Sequence, residues 1–200
     1  MKRYNESEID KLSDILKNDG VISVPTDTVY GLCASMNSEK GREKLMQIKN
    51  RPANKSLPIM CADEKQIKSI AIVDEKIEKI IHAFMPGPIT LVLLKGQNIP
   101  KYVNADSNQI GVRMATTKVL EELIRKVGCP IFMSSANRSG EPTCKNLYEI
   151  EKSCPDLDGM LEGNVSFGKA STIIDCTTDD INIIREGPIT KEEIVEILKK

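Results

Sequence analysis

The chain has 200 residues, of which 40% are hydrophobic and 28% are charged. This length allows one substantial core but hardly two, so we expect a single domain over residues 1–200. The 28 basic residues nearly balance the 29 acidic residues, which excludes a global positive field that would draw the whole protein to nucleic acid or a membrane. Any anion-binding site must therefore be local.

The composition also argues against a secreted, membrane or zinc-binding protein. The N-terminal residues are charged, and no apolar run approaches the ~18 residues that span a bilayer, so we expect a cytoplasmic protein without membrane contact. The six cysteines form no CxxC pair, and His82 is the single histidine. We therefore predict reduced, mostly structural thiols, no metal site made by protein ligands, and no catalytic role for His82.

Helical and strand patterns alternate along the chain. Amphipathic helices are predicted over residues 9–16, 77–84, 119–127 and, after a capping box at Thr190 and Glu193, at the C-terminus. Strands are predicted at residues 21–25, 57–60, 89–94, 110–114, 130–133, 172–175 and 181–184. This alternation predicts one α/β domain around a single sheet, and it leaves the strand order open.

The first polar segment, PTDTVYGL at residues 25–32, follows a predicted buried strand. Its two hydroxyls, one carboxylate and one phenol can hydrogen-bond the ammonium, hydroxyl or carboxylate of a small ligand. The alternative is a turn that begins at Pro25 and whose Thr and Asp side chains bond their own backbone. The pattern alone slightly favours the turn.

The second polar segment, KNRPANKSLP at residues 49–58, places three cations within seven residues and contains two prolines that stiffen it. Arg51 can clamp phosphate oxygens with its planar guanidinium, and Lys49 and Lys55 can act as point charges, so the segment suits a polyphosphate. The alternative, equally favoured, is that Lys49 complements the C-terminus of the preceding helix while Lys55 is solvated.

The third polar segment, SSANRSGEPT at residues 134–143, follows the predicted strand 130–133. Its backbone amides and hydroxyls can cradle an anion, although it matches neither common phosphate-binding glycine pattern. Taken alone, the segment favours an ordinary turn. Arg113 lies inside an apolar strand, where a charge is expensive without a partner or a ligand. Arg185 follows another strand, and a structural ion pair is the alternative for both arginines.

Taken together, seven blocks resemble the YrdC/Sua5 family of threonylcarbamoyl-AMP synthases. In this sequence they are PTDTVYGL, KNRPANKSLP, PGPITLVLL, GVRMA, SSANRSGEPT, STIID and REG, in this order over nearly the whole chain. The resemblance implies an open, twisted, mixed β-sheet of the α+β type, flanked by helices, with a large basic groove. It also implies the short, single-domain form of the family.

The resemblance further implies the site and the reaction. ATP would be held by Lys49, Arg51, Lys55, Ser135, Thr143 and Arg185, with Lys49 and Arg51 as the catalytic cations. L-threonine would be held by Thr28, Arg113 and Ser171. The reaction would use ATP with Mg²⁺, L-threonine and bicarbonate, and its product would pass to a tRNA threonylcarbamoyltransferase complex, with tRNA contact left open.

Two positions depart from the family pattern, and two other functions remain as alternatives. Met60 and Cys61 stand where family members often have Val and His, and Ala115 replaces a common proline. We expect the first change to remove a side-chain contact with threonine and the second to alter backbone stiffness. The alternatives are a carbamoyl-adenylate-forming domain and a non-catalytic RNA-binding module, whose binding would fall steeply with salt.

Overall fold

The computed structural model describes residues 1–52, 55–97, 99–166, 169–178 and 180–199. The strands are β1 (Arg3–Tyr4), β2 (Ile22–Val24), β3 (Gly31–Ser35), β4 (Ile59–Cys61), β5 (Ile89–Leu94), β6 (Gln109–Met114), β7 (Ile131–Ser135), β8 (Gly159–Leu161), β9 (Thr172–Asp175) and β10 (Asn182–Arg185). The α-helices are α1 (Ile9–Lys17), α2 (Glu39–Ile48), α3 (Glu64–Ile70), α4 (Glu75–Phe84), α5 (Lys118–Val127), α6 (Leu147–Ser153) and α7 (Lys191–Leu198).

These strands form one mixed sheet in the order β1-β8-β2-β3-β7-β4-β6-β5-β9-β10. Four neighbouring pairs are parallel and five are antiparallel. The predicted fold class, an open mixed sheet flanked by helices, is confirmed.

The sequence pattern locates most of the secondary structure to within one or two residues. Every predicted strand is present, and the capping box at Thr190 and Glu193 begins α7 as predicted. The pattern does not predict β1, β3 or β8, which are short or contain few large apolar residues, and it does not predict the short helices α3 and α6. It also places Gly31 and Leu32 in a loop, whereas they begin β3 between β2 and β7.

The two faces of the sheet are covered by different helices. One face packs against α2, α3, α4, α6 and α7 through Leu32, Ile59, Leu91, Val112 and Phe132. The other face packs against α1 and α5 in a smaller core, which reaches from β8 across β2, β3 and β7 to Met60 of β4. We call the continuation of this second face over β6, β5, β9 and β10 the open face.

Strand register determines which side chains the open face carries. Arg113 lies beside Met60, and Thr90 and Arg185 each lie beside Ile173. Since Leu91 and Val112 pair on the opposite, buried face, Thr90 and Arg113 share the open face. Polar residues of central strands therefore meet where the helices leave the sheet uncovered.

The cysteines and histidine lie outside this open face. All six cysteines are free and buried, as expected of structural thiols. His82 is exposed on α4, with its Nε2 3.1 Å from a Glu64 carboxylate oxygen. None of the described helices is long and apolar enough to cross a membrane.

Candidate functional site

The open face contains a cavity of about 200 Å³ at the centre of the sheet. Its walls come from the segment before β3, from β4 to β7, and from β9 and β10. Six of the nine predicted site residues line it: Thr28, Arg51, Arg113, Ser135, Ser171 and Arg185. Residues far apart in sequence thus converge on one cavity.

Arg113 forms the buried floor of this cavity, with 7% of its surface exposed. Its Nη1 donates to the Thr28 hydroxyl at 3.0 Å, and its Nη2 donates to an Asp27 carboxylate oxygen. The same Asp27 oxygen accepts a hydrogen bond of 2.8 Å from the Thr116 hydroxyl. The charge that is expensive inside a strand therefore has a carboxylate partner and also faces the cavity.

The PTDTVYGL segment forms a local turn and also lines the cavity. The Thr26 hydroxyl accepts hydrogen bonds from the amides of Thr28 and Val29, each at 3.2 Å, so this threonine does stabilise a local turn. Its hydroxyl also lies 3.0 Å from that of Thr28. The turn fixes the Thr28 hydroxyl against Arg113, which couples the segment to the cavity.

Arg185 forms a second cationic wall. Its Nε and Nη2 donate to the Ser171 carbonyl at 3.0 and 2.9 Å, and Nη2 also lies 3.1 Å from the Ser171 hydroxyl. That hydroxyl lies 2.9 Å from the Thr90 hydroxyl. No acidic partner of Arg185 is found in the part of the chain that the structure describes, so its charge is available to an anion.

Arg51 borders the cavity from the 49–58 segment. Its Nη2 donates to the Ser56 carbonyl at 2.6 Å, and its Nε donates to the Lys55 carbonyl at 3.3 Å. The Lys55 side chain is exposed and does not line the cavity. Residues 53 and 54 of this segment lie outside the described residues.

Lys49 lies behind the cavity wall and not in it. It follows the last residue of α2 and is 2% exposed. Its ammonium donates to the Ser135 and Asn137 carbonyls at 2.5 and 2.8 Å and lies 3.4 Å from Asn137 Oδ1. In this arrangement the ammonium holds the 134–143 segment, and direct phosphate contact by Lys49 stays a prediction.

Thr143 lies in a different cavity from the other site residues. That cavity, of about 540 Å³, is formed by the segment after Arg138 and by α6. The structure therefore brings neither Thr143 nor Lys55 to the central cavity, and their assignment to ATP also stays a prediction.

Three arginines, and no acidic residue among the described ones, line the central cavity. Burial lowers the pKa of Arg51 and Arg185. Burial also lowers the pKa of Arg113, with the Asp27 carboxylate acting in the opposite direction. Because a guanidinium keeps its charge in proteins, the cavity presents a concentrated positive field to anionic ligands.

The two departures from the family pattern have different consequences. Met60 lines the cavity with a thioether, a weak acceptor, so no strong side-chain hydrogen bond is available there. The Ala115 amide donates to the Cys61 carbonyl at 2.8 Å, and a proline at this position would lack that donor. Ala115 thus ties the end of β6 to β4.

Sequence reasoning misses the contacts that three residues make in shaping the site. Asp27 orients Arg113, Thr90 contacts Ser171, and Asn137 shares the Lys49 ammonium. Thr90 carried one usable signal, because it is the single polar residue in the apolar run 89–94. The contacts of Asp27 with Arg113 and of Asn137 with Lys49 each join residues more than 80 positions apart, so no local pattern reveals them.

Comparison with known proteins agrees with this geometry. The family model for Sua5, YciO and YrdC proteins, described as telomere recombination, matches residues 14–187. A Methanocaldococcus jannaschii protein named putative threonylcarbamoyl-AMP synthase is 35% identical over 196 residues, which cover 95% of this chain and 92% of that protein. A Bacillus subtilis threonylcarbamoyl-AMP synthase is 32% identical over 201 residues, or 97% of this chain, but only 57% of the relative's length.

A solved structure gives the same result for the fold. The structure of Pyrococcus abyssi Sua5 complexed with L-threonine has a TM-score of 0.91 at 28% identity, over 98% of this chain and 60% of that one. The chain thus spans somewhat more than half the length of the Bacillus and Pyrococcus relatives. Shared sequence over nearly the whole chain and a shared sheet together make this protein a member of the Sua5/YciO/YrdC family.

Proposed function

We propose that this protein is an L-threonylcarbamoyladenylate synthase, an ATP-dependent nucleotidyltransferase that forms threonylcarbamoyl-AMP and pyrophosphate from L-threonine, bicarbonate and ATP. One observation carries the proposal: the predicted threonine residues and half of the predicted ATP residues line one arginine-rich cavity. The names of the Methanocaldococcus and Bacillus relatives support it.

L-threonine is assigned to the Arg113 side of the cavity. Arg113 pairs with the substrate carboxylate, and the Thr28 and Ser171 hydroxyls, which line the same cavity, hydrogen-bond the polar groups of the amino acid. The Pyrococcus Sua5 structure, which was solved in complex with L-threonine, supports this assignment.

ATP is assigned to the remaining cationic groups. Arg51 and Arg185 bind phosphate oxygens within the cavity, and the Ser135 hydroxyl adds a hydrogen bond. Lys49, held against the Ser135 carbonyl, contributes by fixing that residue. Lys55 and Thr143 complete the proposed nucleotide contacts from outside the cavity.

The chemistry requires alignment and charge, with no protein nucleophile. The threonine amine adds to carbon dioxide and releases a proton, or adds to bicarbonate and releases water as the carbon–hydroxyl bond breaks, and either route gives a carbamate. A carbamate oxygen then forms a bond to the α-phosphorus of ATP while the bond to pyrophosphate breaks. Fixed arginines next to the transferring and leaving oxygens stabilise the developing negative charge, and binding both substrates in one cavity supplies the alignment.

Mg²⁺ is proposed to accompany the triphosphate. The described residues contain no cluster of three or more His, Cys, Asp or Glu side chains that could hold a metal ion. Asp27, the acid nearest the cavity, already bonds Arg113 and Thr116. This donor set fits a Mg²⁺ ion held by phosphate oxygens and water, where it would neutralise phosphate charge.

The cellular role follows from the same proposal. The product carries a reactive mixed anhydride, so we propose that a tRNA threonylcarbamoyltransferase complex in the cytoplasm receives it for N6-threonylcarbamoyladenosine formation in tRNA. If tRNA contacts this chain directly, we propose that it does so at the arginines of the central cavity.

The direct test is pyrophosphate release from ATP and Mg²⁺ by the purified protein. We expect release that requires both L-threonine and bicarbonate, with L-serine as the control amino acid. The Arg51→Gln variant should lose activity while keeping its melting temperature, since among the described residues the Arg51 side chain bonds only the nearby Lys55 and Ser56 carbonyls.

Two other results would contradict the proposal. Release that depends on carbamoyl phosphate in place of threonine would indicate a carbamoyl-adenylate-forming domain. A folded protein without release, whose RNA binding falls steeply with salt, would indicate a nucleic-acid-binding module.

A further inference from the structure

Asp27 occupies an unusual place relative to the central cavity. Thr26 and Thr28, its neighbours on either side, line the cavity, but Asp27 does not. Its carboxylate lies behind Arg113, where one oxygen accepts from both the Arg113 guanidinium and the Thr116 hydroxyl. A negative charge is therefore placed next to the cavity without facing it.

The contacts of Arg113 leave specific donors unused. Its Nη1 bonds Thr28 and its Nη2 bonds Asp27, whereas its Nε is buried without a hydrogen-bond partner among the described residues. A guanidinium has five N–H donors in a rigid plane, so two anchors that fix the plane also fix the direction of the other three. A buried donor without a partner is expensive, which suggests that a ligand supplies one.

We propose that Asp27 is a positioning residue that orients Arg113 so that its unused donors meet the carboxylate of the amino acid substrate. The inference rests on the proposed function. Asp27 itself touches neither substrate, and Thr116 keeps its carboxylate in place.

The alternative is that Asp27 acts through its charge alone. An amino acid substrate is a zwitterion, and in the proposed orientation its carboxylate lies nearer to Asp27 than its ammonium does, so charge alone predicts that removing the Asp27 charge strengthens binding. Orientation predicts the opposite, because the charge-assisted bond that fixes the guanidinium is about twice as strong as a neutral one. Weaker substrate binding after removal of the charge therefore distinguishes orientation from charge alone.

The test is a double-mutant cycle on L-threonine affinity, measured by calorimetry without ATP. We expect Asp27→Asn to weaken binding about tenfold and to raise the threonine KM with kcat within about twofold. In an Arg113→Gln background the same substitution should weaken binding no further, because Asp27 then has no guanidinium to orient. Thr116→Val, which keeps the charge but removes one anchor, should weaken binding about threefold.

Several outcomes would overturn this assignment. An additional tenfold loss in the Arg113→Gln background would mean that Asp27 contacts the substrate itself. Unchanged affinity in both Asp27→Asn and Thr116→Val would mean that the orientation of Arg113 is irrelevant to binding. If Asp27→Asn does not fold, unchanged affinity in Thr116→Val alone leads to the same conclusion. A wild-type protein that binds no threonine would contradict the proposed function itself. A wild-type protein that binds threonine, with variants that bind it equally well, would contradict only the role of Asp27.

Discussion

Arg113 and Lys49 are two buried cations whose environments differ in chemistry. Arg113 has a carboxylate and a hydroxyl as partners and faces the cavity. Lys49 has two carbonyls and an amide oxygen and lies outside the cavity. The partners differ in what they leave available: Arg113 keeps three free donors, whereas all three ammonium hydrogens of Lys49 are directed at protein oxygens.

This difference separates a cation whose donors are available to a ligand from one that holds a loop. The 134–143 segment contributes Ser135 to the cavity, and Lys49 bonds the Ser135 carbonyl while its own carbonyl accepts from the Ser139 amide at 2.7 Å. Lys49 is thus joined to this segment at both its side chain and its backbone. Its effect on the cavity passes through Ser135.

The largest expected effect is on Arg113. Arg113→Gln removes the guanidinium that we assign to the substrate carboxylate and leaves the Asp27 carboxylate without a cationic partner. We expect L-threonine affinity to fall by about 100-fold, in the range measured for truncating one partner of a buried charge pair. Calorimetric titration measures this loss, and Arg51→Gln is the matched control, expected to retain threonine affinity. Equal losses of threonine affinity in both variants would contradict the assignment of Arg113, and not Arg51, to the substrate carboxylate.

The next effect concerns folding, and it tests Lys49. Lys49→Met leaves the Ser135 and Asn137 carbonyls without this donor, so we expect the free energy of unfolding to fall by about 2–4 kcal/mol. Denaturant titration measures this change. L-threonine affinity should stay within about threefold, because the Arg113 side of the cavity is untouched.

Lys55→Met is the matched control for that variant, since Lys55 is an exposed lysine six residues along the chain. Its unfolding free energy should change by less than about 0.5 kcal/mol. A Lys49→Met protein as stable as Lys55→Met, but without adenylate formation, would show that Lys49 binds phosphate directly and that the loop-holding role is wrong.

The sequence predicts the fold better than it predicts these roles. Apolar periodicity locates α1, α4, α5 and the strands that follow them, because each has a long and regular apolar pattern. The strand β3, by contrast, has Leu32 as its single large apolar residue, and β8 has three residues. Pairing with neighbouring strands stabilises both, and local sequence carries no record of that pairing.

The site shows the same limit at the level of single side chains. Blocks of polar residues identify Thr28, Arg51, Arg113, Ser135, Ser171 and Arg185, which do converge on one cavity. Their sequence does not reveal that Lys49 turns away from it, because the direction of a side chain depends on contacts with a segment 86 residues further along. Lysine is rarely buried, so residue type alone predicts the wrong environment.

The environment of Lys49 also predicts a pH dependence of the activity. Burial, with a smaller contribution from the positive charge of Arg51, lowers the pKa of Lys49 to about 8. The ammonium and its full set of hydrogen bonds are therefore present below about pH 8 and are lost as the pH rises through that value. We expect pyrophosphate release to decline above about pH 8, severalfold by pH 9.

Lys49→Arg provides the comparison for that decline, because a guanidinium stays charged throughout this range. The variant should keep its activity to higher pH, with Lys55→Arg, at an exposed site, following the wild type. The same alkaline decline in all three proteins would assign it to a group other than Lys49, such as a substrate.

The smallest expected effect concerns Thr90, which is linked to Arg185 through the Ser171 hydroxyl. Thr90→Val keeps the shape of the side chain but removes the hydroxyl that lies 2.9 Å from the Ser171 hydroxyl. One neutral hydrogen bond is worth about 1 kcal/mol, and the Ser171 hydroxyl also lies 3.1 Å from Arg185 Nη2, so we expect the threonine KM to rise by about threefold. Val92→Thr, on the same strand and face, is the reciprocal control and should leave the KM unchanged. Arg185 is bonded to Ser171 and, unlike Arg113, has no carboxylate partner among the described residues. A loss in Thr90→Val as large as that in Asp27→Asn would therefore show that hydroxyl contacts can orient a cavity arginine as firmly as an ion pair does.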